Sequence, residues 1–206
     1  MVESFLDRNR GLSARILLLN RMVNLVDEGV DVAVRLAPLV DSGLAALKLG
    51  EVRRLACASS TYLALTGRPK VPADLAQHQC IGVNEGGDRE LWPFTMRDGR
   101  RHRARSIQVR TRMALNSAGA ALDAAVRGQG IFRPLSYQAA SYLADGQLVP
   151  LLVEFEPAPV PVHLVFHPHP RPGSAIRAFV DYAAPILRDE LAKLSVVVSR
   201  AEKESG

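Results

Sequence analysis

Apolar positions recur along this chain in two rhythms, one of about 3.6 residues and one of two, and these divide it into alternating helices and strands. Phe5 and Leu6 predict a short helix ending near Gly11, and the apolar run Ile16–Leu19 follows as a strand. Met22, Val23, Leu25 and Val26 return at helical spacing, with Gly29 as a left-handed cap. Residues 31–36 then read as a strand covered on both sides, as in parallel sheets. Strand-like runs at 44–49 and 52–58 lead to Ser59 or Ser60, which stands where a helix N-cap belongs. Pro72 to Leu75 starts another helical turn.

Beyond Cys80 the same rhythms continue. Residues 80–83 form a short strand, and 92–97 with 105–111 form a hairpin around Asp98-Gly99. A helix over 116–127, capped by Asn116 or Ser117, carries Ala118, Ala121, Leu122, Ala125 and Val126 as its apolar stripe and closes at Gly128. A strand at 130–132 and a helix at 135–143 come next. The run Glu156-Pro-Ala-Pro-Val-Pro161 is too rich in proline for regular structure and reads as a crossover. A strand at 162–166 and a helix at 175–194 follow, and the residues after Ser199 read as a frayed polar end.

This order predicts an α/β protein of two Rossmann-like lobes joined by two crossovers, one near residue 79 and one at 157–161. Residues 1–79 plus 162–206 form the first lobe, and 80–161 the second. That is the plan of a type 2 periplasmic-binding-protein-like fold, hinged around a ligand.

Composition narrows the function. At 206 residues, with 48% hydrophobic and 23% charged positions, the chain has ample material for a core. It holds no apolar run of membrane-spanning length, and MVESFLDRNRG has no secretory character, so a cytoplasmic place and no membrane contact are expected. Cys57 and Cys80 each sit in an apolar stretch and read as buried free thiols. The net charge of +5 is densest between Arg97 and Arg105. No aromatic residue interleaves with these arginines, so they read as a solvated hairpin tip rather than a nucleic-acid contact.

No phosphate-binding glycine loop, nucleophile elbow or paired-histidine metal motif is present. His163, His167 and His169 lie on or just past one strand among prolines, which read as strand-end and surface residues, so no metal is expected. Asp27, Glu28 and Asp31 read as solvated acids. The chain is expected not to be an enzyme and to need no cofactor. Small polar residues instead follow the strands, where open α/β sheets bind ligands. These are Ser59, Ser60 and Thr61, then Asn84, then Asn116 with Ser117. Each serves equally as a helix cap when taken alone.

Several segments occur in order at the spacing of one family: RMVNLVDEGVDVAVRLAPLVDSGL, RRLACASSTYLAL, Trp92 before Phe94, NSAGAALDAAVRGQGI, LADGQLVPLL and AIRAFVDYAAPIL. Together, from Phe5 to about Leu191, they resemble the effector-binding domain of LysR-type transcriptional regulators. The resemblance implies a small acidic or aromatic effector held between lobes. It implies cleft residues at Pro38, Ser42, Ser59, Ser60, Thr61, Asn84, Asn116, Phe132 and Arg133, with Arg133 suited to a carboxylate. It also implies a homodimer or homotetramer, the 2–10 helix and strand 16–19 of one copy meeting the 117–127 helix of the other. The family's winged helix-turn-helix, linker helix and first strand belong ahead of Phe5. The DNA-binding domain is therefore expected to be absent from this chain, and promoter DNA to be reached only through it. Arg133-Pro134-Leu135 also reverses the family's usual Leu-Pro order at this point. The rivals are a stand-alone solute-binding protein, which would need an export signal, a cytoplasmic enzyme on a similar bilobed fold, which would need an acid–base or nucleophile set, and a truncated regulator fragment.

Overall fold

In the computed structural model, which describes residues 1–19, 25, 27–39, 43–83, 88–98, 101–168 and 174–205, the elements run in the expected order. They are α1 (Val2–Arg8), β1 (Val32–Leu36), β2 (Ala45–Val52), β3 (Ala56–Ala58), α2 (Ser60–Thr66), β4 (Cys80–Gly82), β5 (Arg89–Asp98), β6 (Arg101–Ala114), α3 (Ala118–Val126), β7 (Ile131–Phe132), α4 (Ser136–Ala144), β8 (Val149–Leu151), β9 (Val160–Phe166) and α5 (Ala175–Ser205). Single 3-10 turns at Pro72–Gln77 and Val153–Phe155 complete the list. The chain sorts into two compact units, Met1–Glu51 with Val160–Ala192 and Val52–Pro159 with Lys193–Gly206.

The first unit holds a three-stranded sheet in the order β1-β9-β2. β1 runs antiparallel to β9, with Val32 opposite Phe166 and Leu36 opposite Val162. Central β9 buries Val162, Leu164 and Val165, whereas every position of β1 is half-buried or exposed. The covered parallel strand expected at 31–36 is therefore an antiparallel edge with one wet face. α1 is anchored by Phe5, whose ring meets Phe179 edge-on at 5.2 Å and Tyr182 at 5.4 Å, while the Arg8 guanidinium lies over the Tyr182 ring. Gly50 lets β2 approach α5 closely: a Cβ there would stand 3.3 Å from Leu191 Cδ1.

Two expectations in this unit change. The run Ile16–Leu19 forms no strand, and Ile16 and Leu18 are 62% and 92% exposed. Apolar side chains do not make a strand without a neighbouring ladder, and no described strand pairs with this run. Most of the helix expected over 22–28 lies outside the described residues. Of its neighbourhood, Leu25 is fully buried and 27–29 form a turn, with Gly29 at φ +61°.

The second unit is built on a six-stranded sheet in the order β5-β6-β4-β7-β3-β8. β6, β4 and β7 run parallel, and β5, β3 and β8 run antiparallel to their neighbours. Side chains alternate across it. Leu55, Cys57, Ile81 and Phe132 face a core with α3, α4 and the end of α5. Ala56, Ala58, Ile131, Trp92, Phe94 and Val109 face a second core with Tyr62, Leu75 and Leu151.

The lobe boundary expected near residue 79 lies instead at Glu51/Val52, because β3 pairs with both β7 and β8 and carries residues 52–79 into the second unit. The end expected to fray after Ser199 is helical, and Val198 and Ala201 are buried beside Leu122, Ala125 and Leu143. Leu194, Val197, Val198 and Ala201 repeat at the i, i+3, i+4, i+7 spacing of a buried stripe.

One cation ties three segments of this unit together. Arg53 donates from Nε and Nη2 to the Glu156 carboxylate, both at 2.7 Å, and from Nη1 to Glu202 Oε2 at 3.1 Å, with a further short Nη2 bond to Glu202 Oε1. Such bidentate pairing uses the planar guanidinium fully. Burial pushes the Glu156 carboxyl above its ordinary value, although Arg53 pulls the other way. A carboxyl raised in the folded state adds stability at low pH that is lost as pH rises through the folded value. Removing Arg53 raises it further. Arg53→Ala is therefore expected to cost about 2 kcal/mol at pH 7, and less at about pH 4, where the raised Glu156 carboxyl is largely protonated. Urea unfolding at the two pH values checks this, and an equal loss at both would refute it.

Candidate functional site

The residues expected to line one cleft fall into separate places. Ser42 and Asn84 lie outside the described residues. Pro38 belongs to the first unit, is exposed, and follows β1. All the others belong to the second unit, where strand direction sets them apart.

β3 runs antiparallel to β7, with Cys57 opposite Phe132. Ser59, just past the end of β3, therefore sits where β7 begins. A Cβ on Gly128 would stand 3.5 Å from Thr61 Oγ1 and 3.6 Å from Ser59 Oγ. Ser59 is buried and its Oγ accepts from the Tyr62 N–H at 3.3 Å, with Thr61 Oγ1 at 3.0 Å. It is the N-cap of α2, and this bond uses its hydroxyl. Ser60 and Thr61 are exposed. Asn116 is exposed and is not the cap of α3. Ser117 is, accepting from the Ala120 N–H at 3.4 Å.

At the opposite end of the same strand pair stand Arg54 and Arg133. The Leu55 N–H donates to Pro134 O at 3.0 Å, and Arg54 bridges Leu135. Phe132 points into the helix-covered core and the Cys57 thiol donates to its carbonyl, so Phe132 is a core residue. Alternation then turns Arg133 to the other face. Its guanidinium lies 5.1 Å from the Phe94 ring centroid and 6.0 Å from that of Trp92, and one Nη2 donates to Pro93 O at 2.5 Å. Arg133 is only 7% exposed, and its buried Nε–H has no hydrogen-bond partner among the described residues.

The electrostatics of this corner are distinctive. Burial, with Arg54 nearby, pushes the Arg133 guanidinium down to about 10, and Glu156 and Glu90 offset part of that. Burial also lowers Arg54. Both groups stay charged at neutral pH, so two partly desolvated cations share one edge of the apolar face. Glu90 is engaged by the Trp92 indole, whose Nε1 donates to Oε2 at 2.9 Å. An aromatic wall and a guanidinium N–H with no partner among the described residues thus meet beside a second cation, with Glu156 and Glu90 nearby. The sequence named Arg133 but missed Arg54, Trp92, Phe94 and Glu90 around it. The only signal was the Trp-Pro-Phe alternation of β5.

The chemistry of catalysis has less support. Among the described residues, no group of three or more His, Cys, Asp or Glu could hold a metal ion. His163 is buried in β9 opposite Arg35, and His169 lies outside the described residues. No described helix is long and apolar enough to cross a membrane.

Comparison with known proteins gives the class to which this fold belongs. Residues 1–187 match the LysR substrate binding domain family, and the chain belongs to that family. Its fold is accordingly the type 2 periplasmic-binding-protein-like α/β fold expected from the sequence. The probable HTH-type transcriptional regulator LtrA of Klebsiella pneumoniae is 30% identical over 156 residues, which cover 76% of this chain and 49% of that protein. The HTH-type transcriptional regulator CrgA of Neisseria meningitidis serogroup B is 29% identical over 170 residues, covering 82% and 55%. The chain thus spans about half the length of the curated relatives it matches. The solved CrgA regulatory domain superposes with a TM-score of 0.74 at 26% identity, covering 90% of this chain and 89% of that one. Full-length AphB of Vibrio cholerae, at 23% identity, shares the fold with a TM-score of 0.76 over 90% of this chain and 62% of its own.

Burial also decides the thiols. Cys57 and Cys80 are fully buried, which pushes both up to about 12, with Glu90 adding to the effect at Cys80. In the native protein neither thiol is expected to react rapidly with Ellman's reagent at neutral pH, and both are expected to react once denatured. A fast-reacting thiol in the folded chain would contradict this.

Proposed function

We propose that this chain is the effector-sensing domain of a LysR-type transcriptional regulator. It binds a small acidic or aromatic molecule and changes no bond in it. Arg133 carries the proposal. A buried arginine with an N–H that has no partner among the described residues, stacked on aromatic rings and beside a second cation, is only partly offset by Glu156 and Glu90 and would gain a direct partner from a ligand carboxylate. Phe94 and Trp92 are themselves buried, and their rings hold the guanidinium in place. Pro38, Ser42, Ser60, Thr61, Asn84 and Asn116 are carried as further contacts by resemblance to the family. Ser59 and Phe132 contribute through the cap and the core that position their neighbours.

The chain acts as a homodimer or homotetramer in the cytoplasm, without cofactor or membrane. The relatives are named for a helix-turn-helix, and promoter DNA is recognised through such a domain. The effector biases the arrangement of that assembly.

Thermal melting against a panel of aromatic and aliphatic carboxylates tests this reading. A compound at about 100 times its Kd stabilises the folded chain by about 2.7 kcal/mol, a rise of several degrees. The Arg133→Met chain is expected to melt near the parent, because an apolar group of similar volume replaces a poorly satisfied cation. It is also expected to lose the ligand-induced rise. An undiminished rise in Arg133→Met, or no rise with any carboxylate, would sink the proposal.

A further inference from the structure

The hairpin β5–β6 carries more positive charge than the whole chain. Residues 89–114 contain eight arginines against Glu90 and Asp98, a net +6, while the chain totals +5. Everything outside the hairpin therefore sums to −1, so the basic character of this protein belongs to a single element.

That element is a two-stranded ribbon. β5 pairs with β6 from Arg89 opposite Arg110 to Asp98 opposite Arg101. β6 meets its next neighbour, β4, only over Thr111 to Ala114. Residues 101–110 thus have β5 as their sole strand partner among the described residues. At about 3.4 Å per residue, ten paired positions span about 30 Å, close to one turn of B-DNA at about 34 Å.

The faces of the ribbon differ. Trp92, Phe94 and Val109 share one face and are buried in the core. The other face carries Arg89, Leu91, Pro93 and Arg97 on β5, and Ser106, Gln108, Arg110 and Arg112 on β6, all of them exposed. Both acidic positions, 90 and 98, fall on the opposite register. Arg89 stands directly across from Arg110, and like charges so placed repel. The repulsion disappears when a polyanion lies across both. Toward the tip, Arg101, Arg103 and Arg105 are exposed too, but they share the register of Glu90, Phe94 and Asp98, with Arg101 across from Asp98, and so lie off the outer face.

We propose that the outer face of the β5–β6 ribbon, carrying Arg89, Arg97 and Arg110, forms a docking arm for the phosphate backbone of duplex DNA, independent of base sequence. The occupant follows from the shape and chemistry of the surface. A two-stranded ribbon fits the major groove of B-DNA, which is about 12 Å wide, but not the deep, narrow major groove of duplex RNA. Single strands are held by stacking on exposed aromatic rings, and the ribbon's two rings are buried. Net positive charge on this face draws phosphates whatever the base sequence, and it is this electrostatic contact that the arm supplies. This goes beyond effector sensing. It gives the domain its own contact with DNA, separate from any helix-turn-helix.

Fluorescence anisotropy of a labelled duplex of about 20 base pairs and arbitrary sequence, titrated with this chain between about 50 and 200 mM salt, tests the proposal. Binding is expected in the micromolar range at the low end of salt and is expected to weaken steeply as salt rises. The triple variant R89Q/R97Q/R110Q is expected to lower the slope of log affinity against log salt by about 2 to 3, since each neutralised phosphate contributes about 0.9. The charge-matched variant R10Q/R15Q/R127Q is expected to bind as the parent does. Far-UV circular dichroism and a melting curve confirm that both variants fold. No duplex binding by the folded parent overturns the proposal, and so do equal losses in the two triples, which would trace binding to net charge alone. Equal binding of polyglutamate at matched charge, or preference for a single strand, overturns it in favour of another polyanion.

Discussion

Strand β3 is three residues long and wholly buried, and the second unit is organised around the place it occupies. It lies between β7 and β8, antiparallel to both, so its period of two decides which residues meet on each side of the sheet. Cys57 and Phe132 fall together on the helix-covered face, while Ala56, Ala58 and Ile131 fall on the other. The same alternation turns Arg133 onto the Trp92–Phe94 strand. A shift of one residue in this pairing would exchange the two cores and place Arg133 among the helices. The antiparallel direction has an equal consequence. It puts the hydroxyls after β3 at one end of the strand pair and the two arginines at the other.

Arginine does three different jobs in this unit, separated by environment. Arg53 is half-buried and fully used, holding Glu156 and Glu202 so that the chain before β3, the segment after the second 3-10 turn and the end of α5 are joined. Arg133 is deeper and incompletely used, with an N–H lacking a partner among the described residues. The described arginines of the β5–β6 ribbon are exposed, where a charge costs little to keep but salt screens its reach beyond about 10 Å. One residue type thus serves as a structural clamp, the proposed ligand anchor and a solvent-facing charge. The depth of each guanidinium and the acids within reach determine which.

Much of the element order was legible from local pattern. The caps at Ser59 and Ser117, the hairpin, the helices over 118–126 and 136–144, and the strand at 160–166 each rest on neighbours within a few residues. Those interactions exist wherever the segment is placed. Ile16–Leu19 failed as a strand because strand formation is a property of two segments, and no described strand offers its edge. The end of α5 was read as frayed because its polar residues outnumber its apolar ones. Its few apolar positions nevertheless fall on one stripe and meet the α3–α4 core.

The candidate site was legible only in its identities. Segment order and spacing pointed to the family, an α/β class and the basic hairpin, and only the resemblance suggested Arg133 for a carboxylate. Pairing over long sequence distances decided the rest. It drew residues 52–79 into the second unit, separated Ser59 from Arg133, buried Phe132 and surrounded Arg133 with Trp92, Phe94 and Arg54. The physical reason is that periodicity records which face a side chain occupies within its own element. What lies opposite that face depends on strand direction and register, which are settled only when distant segments share one sheet.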